Sequence, residues 1–129
     1  MWIMSRSAAC YSFRARRGNA RTDSSHAGGS LDQVKLEDAI TVAKLACVRQ
    51  INRIKLAVGD LGRVKRIVSV KGKIWTQEGY TDGTKITDGC SALLVEVFGE
   101  AGKHTRTTEG MASLPFGLTM EVDLLVELN

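Results

Sequence analysis

The fold class predicted by this sequence is α+β, a mixed sheet with two helices on one face. Two stretches with helical apolar spacing alternate with stretches rich in β-branched residues, in the order helix, strand, helix, strand, strand. The final strand alternates so regularly that one face of the sheet must be apolar and covered by helices. A length of 129 residues suits one compact domain.

The first helix rests on Leu36, Ala39, Ile40, Ala43, Ala46, Cys47, Ile51 and Ile54, which recur at steps of three and four over about 20 residues. Glu37 and Asp38 suit its first turn, where the helix dipole favours negative charge, and Gly59 is a plausible terminator. Residues 64–75 read as a strand, because Val64, Val68 and Val70 alternate with lysines; Gly72 reads as a bulge. The segment 79–83 (GYTDG) reads as a turn. A second helix is expected over 84–98, with Ile86, Cys90, Leu93, Leu94, Val97 and Phe98 as its buried stripe and Gly99 and Gly102 closing it. Residues 104–112 and 119–128 read as strands around a turn at Pro115 and Gly117.

The net charge of +4 does not belong to this domain. All of it lies in residues 1–30, an Arg- and Ser-rich stretch without a sustained helical or strand period, while residues 31–129 carry 13 basic and 13 acidic side chains. A neutral domain with few aromatic residues offers phosphate backbones neither general attraction nor a stacking platform, so no nucleic-acid partner is expected. No apolar run reaches the roughly 18–20 residues that span a bilayer, and no membrane partner is expected. Three widely spaced cysteines, Cys10, Cys47 and Cys90, argue against a disulfide framework or zinc site and for a reducing compartment. The cytoplasm is the expected location; the Arg/Ser-rich start leaves a mitochondrial transit peptide open as the alternative. No cofactor or metal is expected.

If the last two strands form a hairpin about Pro115–Phe116, Arg106, Thr108 and Glu121 share the polar face of the sheet, and Met111, Met120, Val122 and Leu124 lie beneath the helices. Arg is suited to gripping a small carboxylate through its planar fork, and Glu to orienting water or moving a proton. On this register the two sit roughly 13 Å apart along the strands, so a shared site calls for two subunits. The competing reading is a plain surface or interface ion pair, with Thr108 an ordinary strand residue and His104 solvated near a strand end. Glu109 falls at a position expected to be apolar and core-facing.

The stretches Leu61–Val70 (LGRVKRIVSV), Ala92–Gly102 (ALLVEVFGEAG) and Thr105–Asp123 (TRTTEGMASLPFGLTMEVD) resemble the Rid/YjgF family, also known as endoribonuclease L-PSP or chorismate-mutase-like proteins. The resemblance covers about residues 32–128, and the Arg-to-Glu spacing with the LPxG turn is its most specific part. It implies a chorismate-mutase-like, RidA-like domain over 31–129, assembled as a homotrimer with clefts between subunits. It also implies hydrolysis of reactive 2-imino or enamine acids to 2-keto acids and ammonia, without a cofactor, on a small carboxylate-bearing substrate. Arg106 would hold the substrate carboxylate, Thr108 would take a substrate-binding position that is Cys in many relatives, and Glu121 would help to position the attacking water.

This sequence departs from the family at its start. Members usually begin with two or three strands, and here residues 1–30 read as a basic tail that is disordered, transit-like or mis-assigned, so the N-terminal strands are expected to be missing. Ser91 stands near the place of an Asn common in the second helix. A non-catalytic trimeric binder of small carboxylates, a degenerate or truncated member, and a ribonuclease are the alternatives to the deaminase.

Overall fold

A computed structural model gives the structure of residues 10–14 and 30–129. A four-stranded sheet carries both long helices on one face. Its strands are β1 (Cys10–Arg14), β2 (Val64–Trp75), β3 (Thr105–Met111) and β4 (Met120–Leu128), in the spatial order β1-β4-β2-β3. The helices are α1 (Leu36–Val58), between β1 and β2, and α2 (Gly83–Phe98), between β2 and β3. Strands β2 and β3 are parallel, so the chain needs a crossover between them, and α2 supplies it. Strand β4 runs antiparallel to both β2 and β1.

Most of the apolar stripes read from the sequence form the core, but Leu36 and Val97, counted in those stripes, are exposed at 36% and 45% because they lie at the outer ends of their helices. Ala39, Ala43, Cys47 and Ile54 of α1, with Ile86, Cys90 and Leu94 of α2, pack on Ile67, Val70 and Ile74 of β2 and on Val122, Leu124 and Val126 of β4. Each helix ends at a glycine with positive φ, Gly59 at 85° and Gly99 at 61°, a conformation that L side chains rarely adopt. The thiols of Cys47 and Cys90 meet inside this core. A hydrogen bond with Cys90 and then burial raise the Cys47 pKa, holding it protonated. In a Cys10→Ser background, a thiol reagent such as DTNB is therefore expected to label neither cysteine until denaturant is added, which a time course at 412 nm checks.

Three expectations need correction. Gly72 marks no bulge: the register shifts in β2 fall between Val64 and Arg66 and between Ile67 and Ser69. Gly72 is instead the place where α2 sits down on the sheet, since a Cβ there would lie 2.9 Å from Thr87 Oγ1. Next, five of the first 30 residues form β1, which pairs with β4 from Cys10↔Glu127 to Arg14↔Asp123. So short a strand gives alternation too little length to stand out among Arg and Ser. One residue beyond its last pair, the buried Gln50 of α1 donates its side-chain amide to the Val122 carbonyl.

The third correction concerns the hairpin. Strands β3 and β4 are not neighbours, because β2 lies between them. Residues 112–119 instead pass over the end of β2, where Trp75 N–H donates to the Thr119 carbonyl and Thr76 N–H to that of Met111. Glu109 consequently lands on the face away from the helices, where Lys71 pairs with it at 3.3 Å. The same face carries Lys73–Asp123 at 3.7 Å, and Lys65 and Arg66 on Glu127 at 2.7 and 2.6 Å. These two cations hold the Glu127 carboxyl below its ordinary pKa. Their modest contribution is present at neutral pH and is lost as pH falls through that lowered value. Among the described residues no helix is long and apolar enough to cross a membrane.

Candidate functional site

The edge strand β3 and helix α2 face each other through polar side chains. Thr87 and Asp88 stand four and three residues before Ser91, so each neighbours it on the side of α2 that faces β3. Residues Arg106 and Thr108 of β3 register with Val70 and Gly72 of β2, so both lie on the helix-covered face. Thr108 Oγ1 donates to Thr87 Oγ1 at 3.0 Å, and Thr87 passes the bond to the Gly83 carbonyl at 3.2 Å. Arg106 Nη1 donates to Asp88 Oδ1 at 2.6 Å and to Ser91 Oγ at 3.1 Å. Its two hydrogens are thereby both engaged by α2.

Behind Ser91 stands His104. Its Nδ1 lies 2.5 Å from the Gly102 carbonyl, and Nε2 lies 2.9 Å from Ser91 Oγ. A carbonyl can only accept, so the neutral ring carries its proton on Nδ1 and accepts the Ser91 hydroxyl at Nε2. The histidine expected to be solvated is thus a fixed support for Ser91, and through it for Arg106.

Beside this array is a cleft of about 130 Å³. Thr108 and Gly110 of β3 form one wall, Ile74 and Thr76 the floor, and Tyr80 and Thr84 the far side. Burial first, then the carboxylates of Asp82 and Asp32, raise the Tyr80 phenol above its ordinary pKa, so it stays a hydrogen-bond donor at neutral pH. The lining offers hydroxyls and one apolar surface, which suits a small polar ligand more than a flat aromatic one.

Of the residues singled out by sequence, the structure brings Arg106 and Thr108 together and separates Glu121 from them. Glu121 registers with Lys73 and, one strand further, with Glu109, on the face away from the helices. It is buried there, 8% exposed. The expectation that all three share a face fails because the inserted β2 changes which residues align. Arg106 stands level with Leu124, and Glu121 is displaced from it both along the strand and through the sheet. Asp88, Thr76, Tyr80 and Thr84 were not found by sequence reasoning. The polar spacing of Thr84, Asp88 and Ser91 opposite the apolar stripe of α2 was the available signal.

Comparison with known proteins bears on these features. A family profile described as "YjgF/chorismate mutase-like, putative endoribonuclease" matches residues 26–128. The chain is 43% identical over 89 residues to "Protein TCP17" of Trypanosoma cruzi, an alignment covering 67% of this chain and 56% of that protein. The crystal structure of the Agrobacterium tumefaciens protein Atu1372, of unknown function, superposes with a TM-score of 0.76 at 32% identity, covering 79% of this chain and 66% of that one. A "putative endoribonuclease" of Shewanella oneidensis MR-1 gives a TM-score of 0.74 at 30% identity over 78% of this chain and 68% of its own. This chain therefore spans a little over half the length of its curated relative and about two thirds of the two solved structures. With the family profile covering most of the sequence and the α+β arrangement shared with these neighbours, the chain belongs to the YjgF/chorismate mutase-like family.

Proposed function

We propose that this protein hydrolyses small reactive 2-imino acids, and the enamines in equilibrium with them, to 2-keto acids and ammonia, in a cleft completed by a second copy of the chain. The observation that carries this reading is the state of Arg106. Its guanidinium is held in place on one edge by Asp88 and Ser91, its side chain stays 22% exposed, and the hydroxyl-lined cleft adjoins it at Thr108.

Water adds to the carbon of the C=N bond to give a carbinolamine, the C–N bond breaks, and ammonia leaves as the C=O bond forms. The reaction is redox-neutral, and the substrate carbon is electrophilic from the start. Anchoring and proton handling are the contributions asked of the protein. Arg106 anchors the carboxylate, Thr108 lines the bound molecule, and Glu121 of a neighbouring copy steers the water. The opposite-face placement of Arg106 and Glu121 calls for a second copy of the chain, and the homotrimer implied by the family resemblance would supply it.

The ribonuclease reading, suggested by the names of the family and the Shewanella relative, meets unfavourable charge. Asp82 and Asp32 act on Tyr80 in the cleft wall, Asp88 occupies Arg106, and Lys85 is paired with Asp82 at 3.0 Å. The deciding assay follows ammonia and 2-ketobutyrate release from freshly generated 2-iminobutyrate. Purified protein is expected to accelerate release in proportion to its concentration; a rate equal to the buffer control would overturn the proposal.

A further inference from the structure

We propose that Asp88 is a specificity-determining residue that restricts the cleft to ligands bearing a single negative charge. The inference rests on the reading of Arg106 as the carboxylate anchor and goes beyond it. Asp88 Oδ1 sits 2.6 Å from Arg106 Nη1, yet its side chain is 64% exposed against 22% for that of Arg106. So exposed a carboxylate contributes little to fold stability. It does act on whatever binds beside it.

The geometry divides the guanidinium into two edges. Nη1 uses both its hydrogens on Asp88 and Ser91, and Ser91 is itself fixed by His104. Among the described residues the hydrogen bonds of Arg106 all leave from Nη1, so the Nε and Nη2 edge is the one presented to a ligand. That edge matches a carboxylate bidentately. A bound monoanion then completes a carboxylate–guanidinium–carboxylate sandwich in which Asp88 has already used half of the cation.

Among the described residues of this chain that line the cleft, a second negative charge on the ligand finds no such partner. It meets Asp88 across the guanidinium, and Lys85, the nearest lysine on α2, is already engaged by Asp82 at 3.0 Å. The adjoining cleft is lined by uncharged side chains: Thr76, Tyr80, Thr84 and Thr108 satisfy neutral polar groups and neutralise nothing. The expected ligands are 2-oxo and 2-imino acids with uncharged side chains. Dicarboxylic or phosphorylated analogues are disfavoured by like charge.

The test is a ratio, measured by calorimetry on the full chain with 2-ketobutyrate and 2-ketoglutarate as probes. Wild-type protein is expected to bind 2-ketobutyrate about tenfold more tightly than 2-ketoglutarate, as one unpaired unit charge several ångströms away at a partly screened site implies. Asp88→Asn is expected to lower that ratio severalfold, the carboxylates of Asp82 and Asp32 near Tyr80 accounting for what is left, and Asp88→Glu to keep it. A merely structural role for Asp88 would weaken both ligands alike and leave the ratio unmoved, which overturns the proposal. Asp88→Ser serves the same purpose if the Asn variant fails to fold. Wild-type protein that binds neither keto acid overturns the carboxylate-anchor reading as well, whereas binding with one ratio in every variant overturns only the role of Asp88.

Discussion

Gly102→Ala is expected to destabilise the fold by about 3 kcal/mol, lowering the melting temperature by roughly 10 °C. A Cβ at this position would lie 2.2 Å from the Leu94 carbonyl oxygen, 2.7 Å from its carbon and 3.0 Å from Val95 Cα. All three are backbone atoms of the last turns of α2, so no side chain can swing aside. The 3-10 turn Gly99–Gly102 must be lifted from the helix, and the start of β3 goes with it. Because the Gly102 carbonyl also fixes His104, the displacement reaches Ser91 and Arg106. Gly110→Ala is the internal control: its single close neighbour is the side-chain oxygen of Thr76 at 2.8 Å, which can rotate. Thermal unfolding followed by circular dichroism should separate the two variants clearly. Equal melting temperatures would show that the turn packs less tightly on α2 than these distances state.

The second large effect concerns chemistry. Arg106→Ala is expected to lower kcat/KM for 2-iminobutyrate by about 10²–10³-fold, the range for removing one partner of a desolvated, hydrogen-bonded charge pair. Arg106→Lys should recover little of this, because the three donors of an ammonium cannot hold Asp88 and Ser91 and also grip a carboxylate bidentately as the planar fork does. Stability should change by less than about 1 kcal/mol in either variant, since the partner carboxylate is 64% exposed and stays solvated when the cation is gone. Activity measured beside a melting curve therefore separates a lost anchor from a lost fold. An Arg106→Ala protein with wild-type turnover would remove this residue from the site.

The elements legible in the sequence were those long enough for their period to show. The twelve residues of β2 and the alternation of β4 sit where their patterns put them, and both helices end at the expected glycines. Strand order was not legible. A Pro- and Gly-containing connection of eight residues between β3 and β4 suits a hairpin as well as a crossing over β2. Only the tertiary requirement that β2 pair on both sides decides between them. That one choice moved Arg106 and Thr108 to the helix-covered face under α2, sent Glu109 to a lysine and left Glu121 on the polar face away from the helices, where the pattern had put it. The candidate site was legible in the residue types of β3 and illegible in its α2 half. Asp88 on its own reads as an ordinary solvated carboxylate, and its role depends on a partner 18 positions away.

The β1-β4-β2-β3 order also sets a schedule during synthesis on the ribosome. The β2-α2-β3 unit can close as soon as residue 111 is clear of the exit tunnel, because its pairing is with itself. Strand β1, made before the other described strands, must wait for β4, the last of them, before its backbone partner among the described residues exists. Loss of β4 would thus strand β1 as well, and would leave one edge of β2 unpaired and open to whatever nascent chain lies closest.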